Sequence, residues 1–201
     1  MTTVQDPEDL TARARIRDAA IRHIGEHGFE RATIRGIAES AGVSLGLVRH
    51  HFGSKQALRE ACDEHLMKMV RRLHDEAATG LSAGFSPVAV MGPYRAYLAR
   101  ALTEGGASPL FDEMTGIGER WLAVADRERG EAPDVPARAR AAVMAAMALS
   151  VPVLYPHVAR AMGADLSTPE GERLLMRTLI EIYSRPVLSP EAAAEARAAL
   201  G

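Results

Sequence analysis

A five-residue segment near the N-terminus has the spacing of a zinc-binding enzyme motif. Residues His23 to His27 read H-I-G-E-H and match the H-x-x-E-H pattern. On a helix the two histidines would lie on one side as metal ligands, with Glu26 as the catalytic base. So short a pattern arises often by chance, and no acidic third ligand accompanies it. We therefore expect no metal site, no catalytic residues and no cofactor, since no Ser/His/Asp set, paired carboxylates or metal cluster stands out elsewhere.

A second group of residues carries the chemistry of phosphate binding. Ser44 precedes a helical pattern and is expected to cap it, leaving backbone N–H groups and a positive dipole end for an anion. Gly46 has no side chain, so its backbone can approach another molecule closely. Ser54 can cap a further helix, and Lys55 in the first turn of that helix can reach a phosphate.

Two short helices joined by a tight turn would position these groups. Apolar residues recur at helical spacing over about residues 33–41 and again over 45–52. The inward-facing positions are Ile34, Ile37, Ala38 and Ala41 in the first helix, and Val48 and Phe52 in the second. Gly42 lies where the first helix ends and a left-handed residue is needed. This is the pattern of a helix-turn-helix, whose second helix enters the DNA major groove. Periodicity alone leaves an ordinary helical hairpin equally open.

The segment TIRGIAESAGVSLGLVRHHFGSKQAL, residues 33–58, resembles the DNA-binding region of the TetR/AcrR family of bacterial transcriptional regulators. The resemblance runs without a gap over about residues 10–60. The matching residues are Thr33, Ile37, Ala38, Ala41, Gly42, Val43, Ser44, Gly46, His51, Phe52, Lys55 and Leu58. Three positions depart from the family pattern. Lys, Pro or Arg is common at the position of Leu45, a small polar residue at that of Leu47, and Tyr at that of Arg49. These positions face the groove, so the departures affect which operator sequence is bound and not whether the protein binds DNA.

The resemblance implies a DNA-binding regulator that is a repressor released from a double-stranded operator by a small apolar or amphipathic ligand. The DNA-binding candidates are Thr33, Arg35, Ser44, Leu45, Gly46, Arg49, His50, His51 and Lys55. Thr33 and Lys55 would contact phosphate, and Leu45 would meet a thymine methyl group. Arg49 and His50 would contact bases or phosphates, and His51 the DNA backbone.

Charge is distributed unevenly along the chain. The whole sequence has 24 basic and 26 acidic residues, whereas residues 10–59 have nine basic and four acidic ones, a net charge of +5. A basic module on an acidic body suits a protein that meets phosphate with one end only. Two alternatives stay open. One is a helical small-molecule-binding protein in which the helix-turn-helix domain over residues 1–53, called here the reading head, is vestigial. The other is an architectural DNA binder without a specific operator. Near-neutral net charge argues against the second.

The chain is expected to be cytoplasmic and without a membrane segment. The first ten residues do not have the order of a signal peptide. Residues 141–159 are uncharged but Ala-rich and interrupted by Pro152 and Pro156, which favours a buried core helix. Cys62 is the one cysteine, so no internal disulfide forms, and a buried thiol is expected.

The pattern predicts an all-α protein. We expect an N-terminal three-helix helix-turn-helix domain over residues 1–53 and a helical ligand-binding and dimerisation domain over 54–201. The expected helices after the reading head span about 54–78, 87–104 with a break near 92–93, 110–129, 137–162 with a kink between 150 and 156, 167–184, and 190–200.

The second domain has two expected duties. By the family resemblance, the helices near 137–162 and 169–184 would pair two protomers into a homodimer, with small residues allowing close approach. Those residues are Ala141, Ala145, Ala146 and Ala148, and plain internal core is the alternative for each. A pocket for an effector of unknown identity would be lined by Met114, Trp121, Met144, Met147, Tyr155 and Met176, because Met and aromatic side chains fit irregular apolar cavities. Plain core is again the alternative.

Overall fold

A computed structural model of the chain describes residues 7–78, 92–104, 108–129, 133–185 and 187–200. Within those ranges the chain is helical and has no strand, so the prediction of an all-α fold is confirmed. The helices are α1 (Pro7–His27), α2 (Ile34–Ala41), α3 (Leu45–Phe52), α4 (Lys55–Ala78), α5 (Arg95–Thr103), α6 (Ser108–Arg129), α7 (Ala137–Val153), α8 (Tyr155–Met162), α9 (Pro169–Ser184) and α10 (Pro190–Leu200), with a 3₁₀ turn at Gly92–Tyr94.

Two interruptions that the sequence predicts are present in the helices that follow the reading head. The kink expected between residues 150 and 156 is a break at Leu154, between α7 and α8. The interruption expected near 92–93 is the 3₁₀ turn that leads into α5. The expected loop at 79–86 and the first turn of the helix expected from residue 87 lie outside the described residues.

The long helix α1 lies at the centre of the N-terminal core. Its buried Ile16 and Ile24 belong to the same apolar cluster as Ile37 of α2 and Leu58 of α4. That cluster continues beyond the helix-turn-helix, since it includes Tyr97, Leu98 and Ala101 of α5 and Leu110 of α6. Helix α5 approaches α1 so closely that a side chain at Gly25 would lie 2.8 Å from the backbone nitrogen of Tyr97. The reading head is therefore packed directly on α5.

Helices α6 and α7 form an antiparallel pair with close backbone contact. A Cβ at Gly118 would lie 3.2 Å from the Ala141 Cβ. Arg140 donates two hydrogen bonds to the Asp126 carboxylate, at 3.0 and 2.6 Å, and holds the pKa of that carboxyl below its usual range. The buried stripe of α7 is Ala141, Ala145 and Leu149.

Two of the alanines expected to pair protomers therefore have another role. Ala141 and Ala145 are buried in the interior of their own chain, so the alternative of internal core is correct for both. Ala146 and Ala148 are exposed. The outer side of α7 carries the large apolar residues Val143, 61% exposed, and Met147, 52% exposed.

By its internal contacts the chain divides into two compact units, with the boundary between Tyr155 and Pro156. In the second unit Thr168 caps α9 by accepting a hydrogen bond from the Gly171 N–H. Leu166 and Leu175 are buried there, while α10 has no buried residue. The functional boundary expected at residues 53–54 stays a prediction.

Among the described residues, no single helix is long and apolar enough to cross a membrane. Helices α7 and α8 meet the length and composition of a span only when taken together across the break at Leu154, and core helices of soluble proteins pass the same test.

Candidate nucleic-acid interface

The turn between α2 and α3 has the geometry that its sequence predicts. The Thr33 hydroxyl accepts a hydrogen bond from the Gly36 N–H at 3.1 Å and caps α2. Gly42 is left-handed, with φ of 66°, and its N–H bonds the carbonyls of Ala38 and Glu39. A side chain at Gly36 would lie 2.9 Å from the His23 ring, which seats α2 tightly on α1. These local constraints fix how α3 leaves α2.

Helix α3 begins at the expected cap. The Ser44 hydroxyl accepts a hydrogen bond from the Leu47 N–H at 3.2 Å. Val48 and Phe52 are buried against the core, as their spacing predicts. Gly46 is exposed, and a Cβ added there would meet only the Ser44 hydroxyl oxygen, at 3.8 Å. The first turn of α3 is thus open for close approach by another molecule.

The predicted base-reading side chains lie on the outer face of α3. Arg49 and His50 are exposed, and His51 and Leu45 are half-buried, so Leu45 is less open than its outward position in the pattern implied. Arg35 and Arg49 have no charged partner among the side chains that the structure describes. Two guanidinium groups and the exposed His50 therefore remain available for an anionic partner.

Lys55, expected to reach a phosphate, has contacts of its own within the protein. Its ammonium group donates to the Glu30 carbonyl at 3.1 Å and lies 4.4 Å from the centre of the Phe29 ring. The guanidinium of Arg59 lies 4.7 Å from the same ring. The ring of Phe29, in the turn after α1, thus makes cation–π contacts with two side chains in the first turns of α4. No sequence pattern indicates this pairing, because ring and cations are 26 and 30 residues apart.

Arg13 makes a further contact that the sequence did not reveal. From α1, its guanidinium donates to the His51 carbonyl at 3.1 Å. The same group lies 4.7 Å from the centre of the Phe52 ring. These contacts join α1 to the C-terminal end of α3, across 38 residues of sequence.

Two polar contacts join helix α5 to the turn after α1 and to helix α4. The Glu104 carboxylate accepts a hydrogen bond from the Phe29 N–H at 3.3 Å. The buried Tyr97 hydroxyl donates to Asp63 of α4 at 2.5 Å. Burial raises the pKa of Asp63 above its ordinary value, although the bond from Tyr97 opposes that shift. Burial likewise raises the pKa of the neighbouring Cys62 thiol to about 12, so this cysteine is a buried, protonated thiol as expected.

The H-I-G-E-H segment shows no metal geometry within the described part of the chain. The rings of His23 and His27 lie edge to face with centres 5.2 Å apart, and Glu26 lies 3.7 Å from His27. No three His, Cys, Asp or Glu side chains converge in the residues that the structure describes.

The residues expected to line an effector pocket within the first compact unit lie at separate places. Trp121 is 53% exposed and donates its indole N–H to His74 at 3.1 Å. Met147 lies on the outer side of α7, and Tyr155 lies beneath the Arg95 guanidinium, 3.6 Å from its ring centre. Met114 packs against the N-terminal core and Met144 is half-buried, while Met176 belongs to the second compact unit.

An apolar groove of about 290 Å³ lies instead between α5, α6 and α7. It is lined by Leu102, Thr103, Phe111, Ala146, Leu149, Ser150, Val153 and Leu154. None of the six predicted residues lines it, because apolar periodicity identifies the inner side of a helix but not the neighbour that covers it. The Thr103 and Ser150 hydroxyls donate to the carbonyls of their own helices, Thr103 to Ala99 and Ser150 to Met147.

The reading head and its relatives identify the family. The model of the family described as bacterial regulatory proteins, tetR family, matches residues 16–62. The HTH-type transcriptional regulatory protein RaaS of Mycobacterium tuberculosis is 41% identical over 144 residues, 68% of each chain. The chain belongs to the TetR family. TetR-family members are transcriptional regulators that bind operator DNA, act as dimers and are typically ligand-responsive repressors, and they are not enzymes. The predictions of a regulator and of no enzyme activity are confirmed.

Two solved TetR-like structures agree with the fold. A gamma-butyrolactone receptor, an ArpA-like protein, is 26% identical with a TM-score of 0.58, covering 74% of this chain and 81% of its own. CprB of Streptomyces coelicolor, solved with its operator sequence, is 26% identical with a TM-score of 0.53, covering 69% and 76%. This TetR-family chain therefore shares both the reading head and the helical body of its relatives.

Proposed function

We propose that this TetR-family regulator reads its operator with the outer face of α3. The observation that carries the proposal is the arrangement at the start of that helix. Ser44 caps it, Gly46 leaves its first turn open, and Arg49 and His50 project from the exposed side. Arginine suits guanine edges and phosphates, and the free N–H groups at a helix start suit phosphate. Thr33 and Arg35 at the start of α2 would contact the flanking backbone.

We further propose that two protomers bind a two-fold symmetric operator. One helix-turn-helix reads only a few base pairs, so a dimer doubles both contacts and specificity. The exposed apolar stripe of α7 is formed by Val143 and Met147, which lie one helical turn apart on the same side of the helix. Large apolar side chains on one outer face are typical of a surface covered in an assembly. Helix α9 carries exposed Ile180 and Tyr183 in the same way.

The groove between α5, α6 and α7 is the proposed effector site. Its lining is apolar, and both of its hydroxyl groups already donate to backbone carbonyls, so it suits an uncharged ligand. A small lactone is the first chemistry to test, since a structural relative is a gamma-butyrolactone receptor. For release to occur, the ligand must bind the DNA-incompetent state more tightly than the DNA-bound state.

Selection from a pool of randomised duplexes tests operator reading even though the target gene is not identified. The purified protein should enrich a motif with two inverted half-sites, centred about one helical turn apart or a multiple of it. Arg49→Ala should lose preference at one position of each half-site, at a cost of roughly 1–3 kcal/mol. Arg127→Ala, an exposed arginine on α6, is the matched control and should enrich the wild-type motif. Enrichment of no motif would contradict the proposal and favour an architectural DNA binder.

A further inference from the structure

The C-terminal end of α3 is held from outside the helix-turn-helix. Helix α3 is only eight residues long, and a helix of that length gains little stability from its own hydrogen bonds. Its last carbonyls have no partner within the helix. The Gly53 N–H satisfies the carbonyl of Arg49, at 2.8 Å. The carbonyl of His51 accepts its hydrogen bond from the side chain of Arg13, at 3.1 Å.

The Arg13 guanidinium is suited to this position in three ways. It supplies a hydrogen bond to a carbonyl near the end of the helix. It places a positive charge at the negative end of the helix dipole. It also lies 4.7 Å from the centre of the Phe52 ring, whose buried position anchors α3 to the core. One side chain from α1 thus fixes both the last turn of α3 and its anchoring residue.

We infer that Arg13 is a positioning residue for DNA reading: it orients α3 through the His51 carbonyl and the Phe52 ring. This inference rests on the proposed function of α3 as the reading helix. Arg13 belongs to the basic set of the N-terminal module, so the competing role is a direct phosphate contact. The two roles differ in what their loss does. A phosphate contact adds affinity on every DNA sequence, whereas a positioning residue adds affinity only on sequences whose bases match the side chains of α3.

Arg15 provides a matched control for Arg13. It lies two residues away on α1, is exposed, and has no hydrogen bond or ion pair to any side chain that the structure describes. Arg15→Gln therefore removes the same charge from the same helix and leaves the two contacts of Arg13 with α3 in place. Arg13→Lys is the second variant, because it keeps the charge but loses the planar group that can bond the carbonyl while lying over the ring.

Hydrogen exchange of the free protein tests, without DNA, whether the contacts of Arg13 stabilise α3. In Arg13→Gln, peptides covering residues 45–55 should exchange roughly three- to tenfold faster than in the wild type, since one charge-assisted hydrogen bond is lost. Peptides covering residues 56–70 should be unchanged, which shows that the variant is folded. Arg15→Gln should match the wild type throughout. Equal exchange over 45–55 in Arg13→Gln and Arg15→Gln would overturn the inference.

Operator binding over a range of salt concentrations then tests the reading role. Arg13→Gln should bind operator roughly tenfold more weakly than the wild type, bind scrambled DNA equally well, and keep the wild-type salt slope; Arg13→Lys should restore only part of the loss. Equal losses on both DNAs, with a slope lower by about 1, would make Arg13 a phosphate contact and overturn the inference. A wild-type protein without sequence preference would contradict the proposed function instead. The contacts of Arg13 with α3 would then stabilise the helix but have no role in reading the operator.

Discussion

Lys55 is positioned by the protein before it can meet DNA. Its hydrogen bond to the Glu30 carbonyl and its place over the Phe29 ring hold the ammonium group at the start of α4. An ordered cation loses less side-chain entropy when it binds a phosphate than a free one does. The internal contacts of Lys55 are therefore compatible with the phosphate contact predicted from the sequence.

Lys55→Ala should weaken binding to all DNA sequences by a similar factor. One phosphate contact is lost, so the slope of log affinity against log salt should fall by roughly 1. Titrations at several salt concentrations measure that slope, with Gln56→Ala, the exposed neutral neighbour, as the control. An unchanged slope in Lys55→Ala would remove this residue from the set of DNA contacts.

Asp63 and Tyr97 form a polar pair at the junction of α4 and α5. Burial raises the pKa of Asp63 above its ordinary 3.8, and the hydrogen bond from Tyr97 opposes that rise. Removing the hydroxyl in Tyr97→Phe should therefore raise the pKa of Asp63 further. A carboxyl whose folded pKa lies above its unfolded pKa costs stability at higher pH, and the cost disappears as the pH falls towards the unfolded value.

Tyr97→Phe should thus destabilise the protein by about 1–2 kcal/mol near pH 7 and by less near pH 4. Denaturant unfolding of wild type and variant at both pH values gives the two differences. Tyr94→Phe is the control, because its hydroxyl lies 3.4 Å from His65, a longer and weaker contact. A destabilisation that grows as the pH falls would contradict the assignment of the Asp63 carboxylate as the partner.

Helix α1 and helix α5 meet at a glycine. A methyl group at Gly25 would lie 2.8 Å from the Tyr97 nitrogen and 3.0 Å from the Ala96 side chain. Backbone cannot give way as the end of a flexible side chain does, so Gly25→Ala should push α5 away from α1. We expect a loss of about 1–3 kcal/mol in unfolding free energy, as for other overpacked cores.

Gly46→Ala is the contrasting substitution on the reading helix. No atom other than the Ser44 hydroxyl lies within 4 Å of the added methyl group, so stability should be unchanged or higher by up to about 1 kcal/mol. Operator affinity should nevertheless fall, because the methyl group stands between the α3 backbone and the DNA. Thermal unfolding and operator titration of both variants measure the contrast. Full operator affinity in Gly46→Ala would contradict close backbone approach at the start of α3.

The elements of the reading head follow from local signals. Gly42, Ser44 and Ser54 each predict a helix end or start, and each has the predicted conformation or hydrogen bond. These signals act over three or four residues, which is why a single sequence reveals them. The contacts of Arg13 and Glu104 join residues 38 and 75 positions apart, and no local pattern encodes such pairs.

The second half of the chain is harder to predict for the same reason. Periodicity correctly locates its helices, but not which side each neighbour covers. The pattern places Ala145 at an interface between protomers, whereas it is internal core. It places Trp121 inside a pocket, whereas about half of this side chain is exposed. The indole N–H of Trp121 donates a hydrogen bond to His74 of α4, which holds the ring at the surface. The lining of the observed groove depends on how three helices meet.

At the scale of the whole molecule, the outer side of α7 is central to the proposed dimer. Met147→Glu places a charge in the stripe that Met147 forms with Val143. Burying that charge between protomers without a partner is costly, so the variant should be a monomer at micromolar concentration. Operator affinity should fall at least roughly tenfold, because a monomer contacts one half-site.

Sedimentation of the free protein and operator titration measure these two effects. Val124→Glu is the control, since Val124 is a similarly exposed apolar residue on α6, outside the α7 stripe. It should leave both the dimer and the operator affinity as in the wild type. A Met147→Glu protein that remains dimeric would place the protomer contact elsewhere on the chain.

Fluorescence anisotropy on the intergenic DNA upstream of the protein's own gene, against a scrambled duplex at physiological salt, tests operator reading by α3 most directly. Specific complexes of this kind have Kd values of roughly 10⁻⁸ to 10⁻¹¹ M. We predict binding in that range on the intergenic DNA, with two protomers or more per site, and at least roughly a thousandfold weaker binding on the scrambled duplex. In Arg49→Ala the difference between the two duplexes should be smaller by the roughly 1–3 kcal/mol of the lost base contact. Equal, weak binding to both duplexes, together with no motif enriched from randomised DNA, would contradict sequence reading by α3.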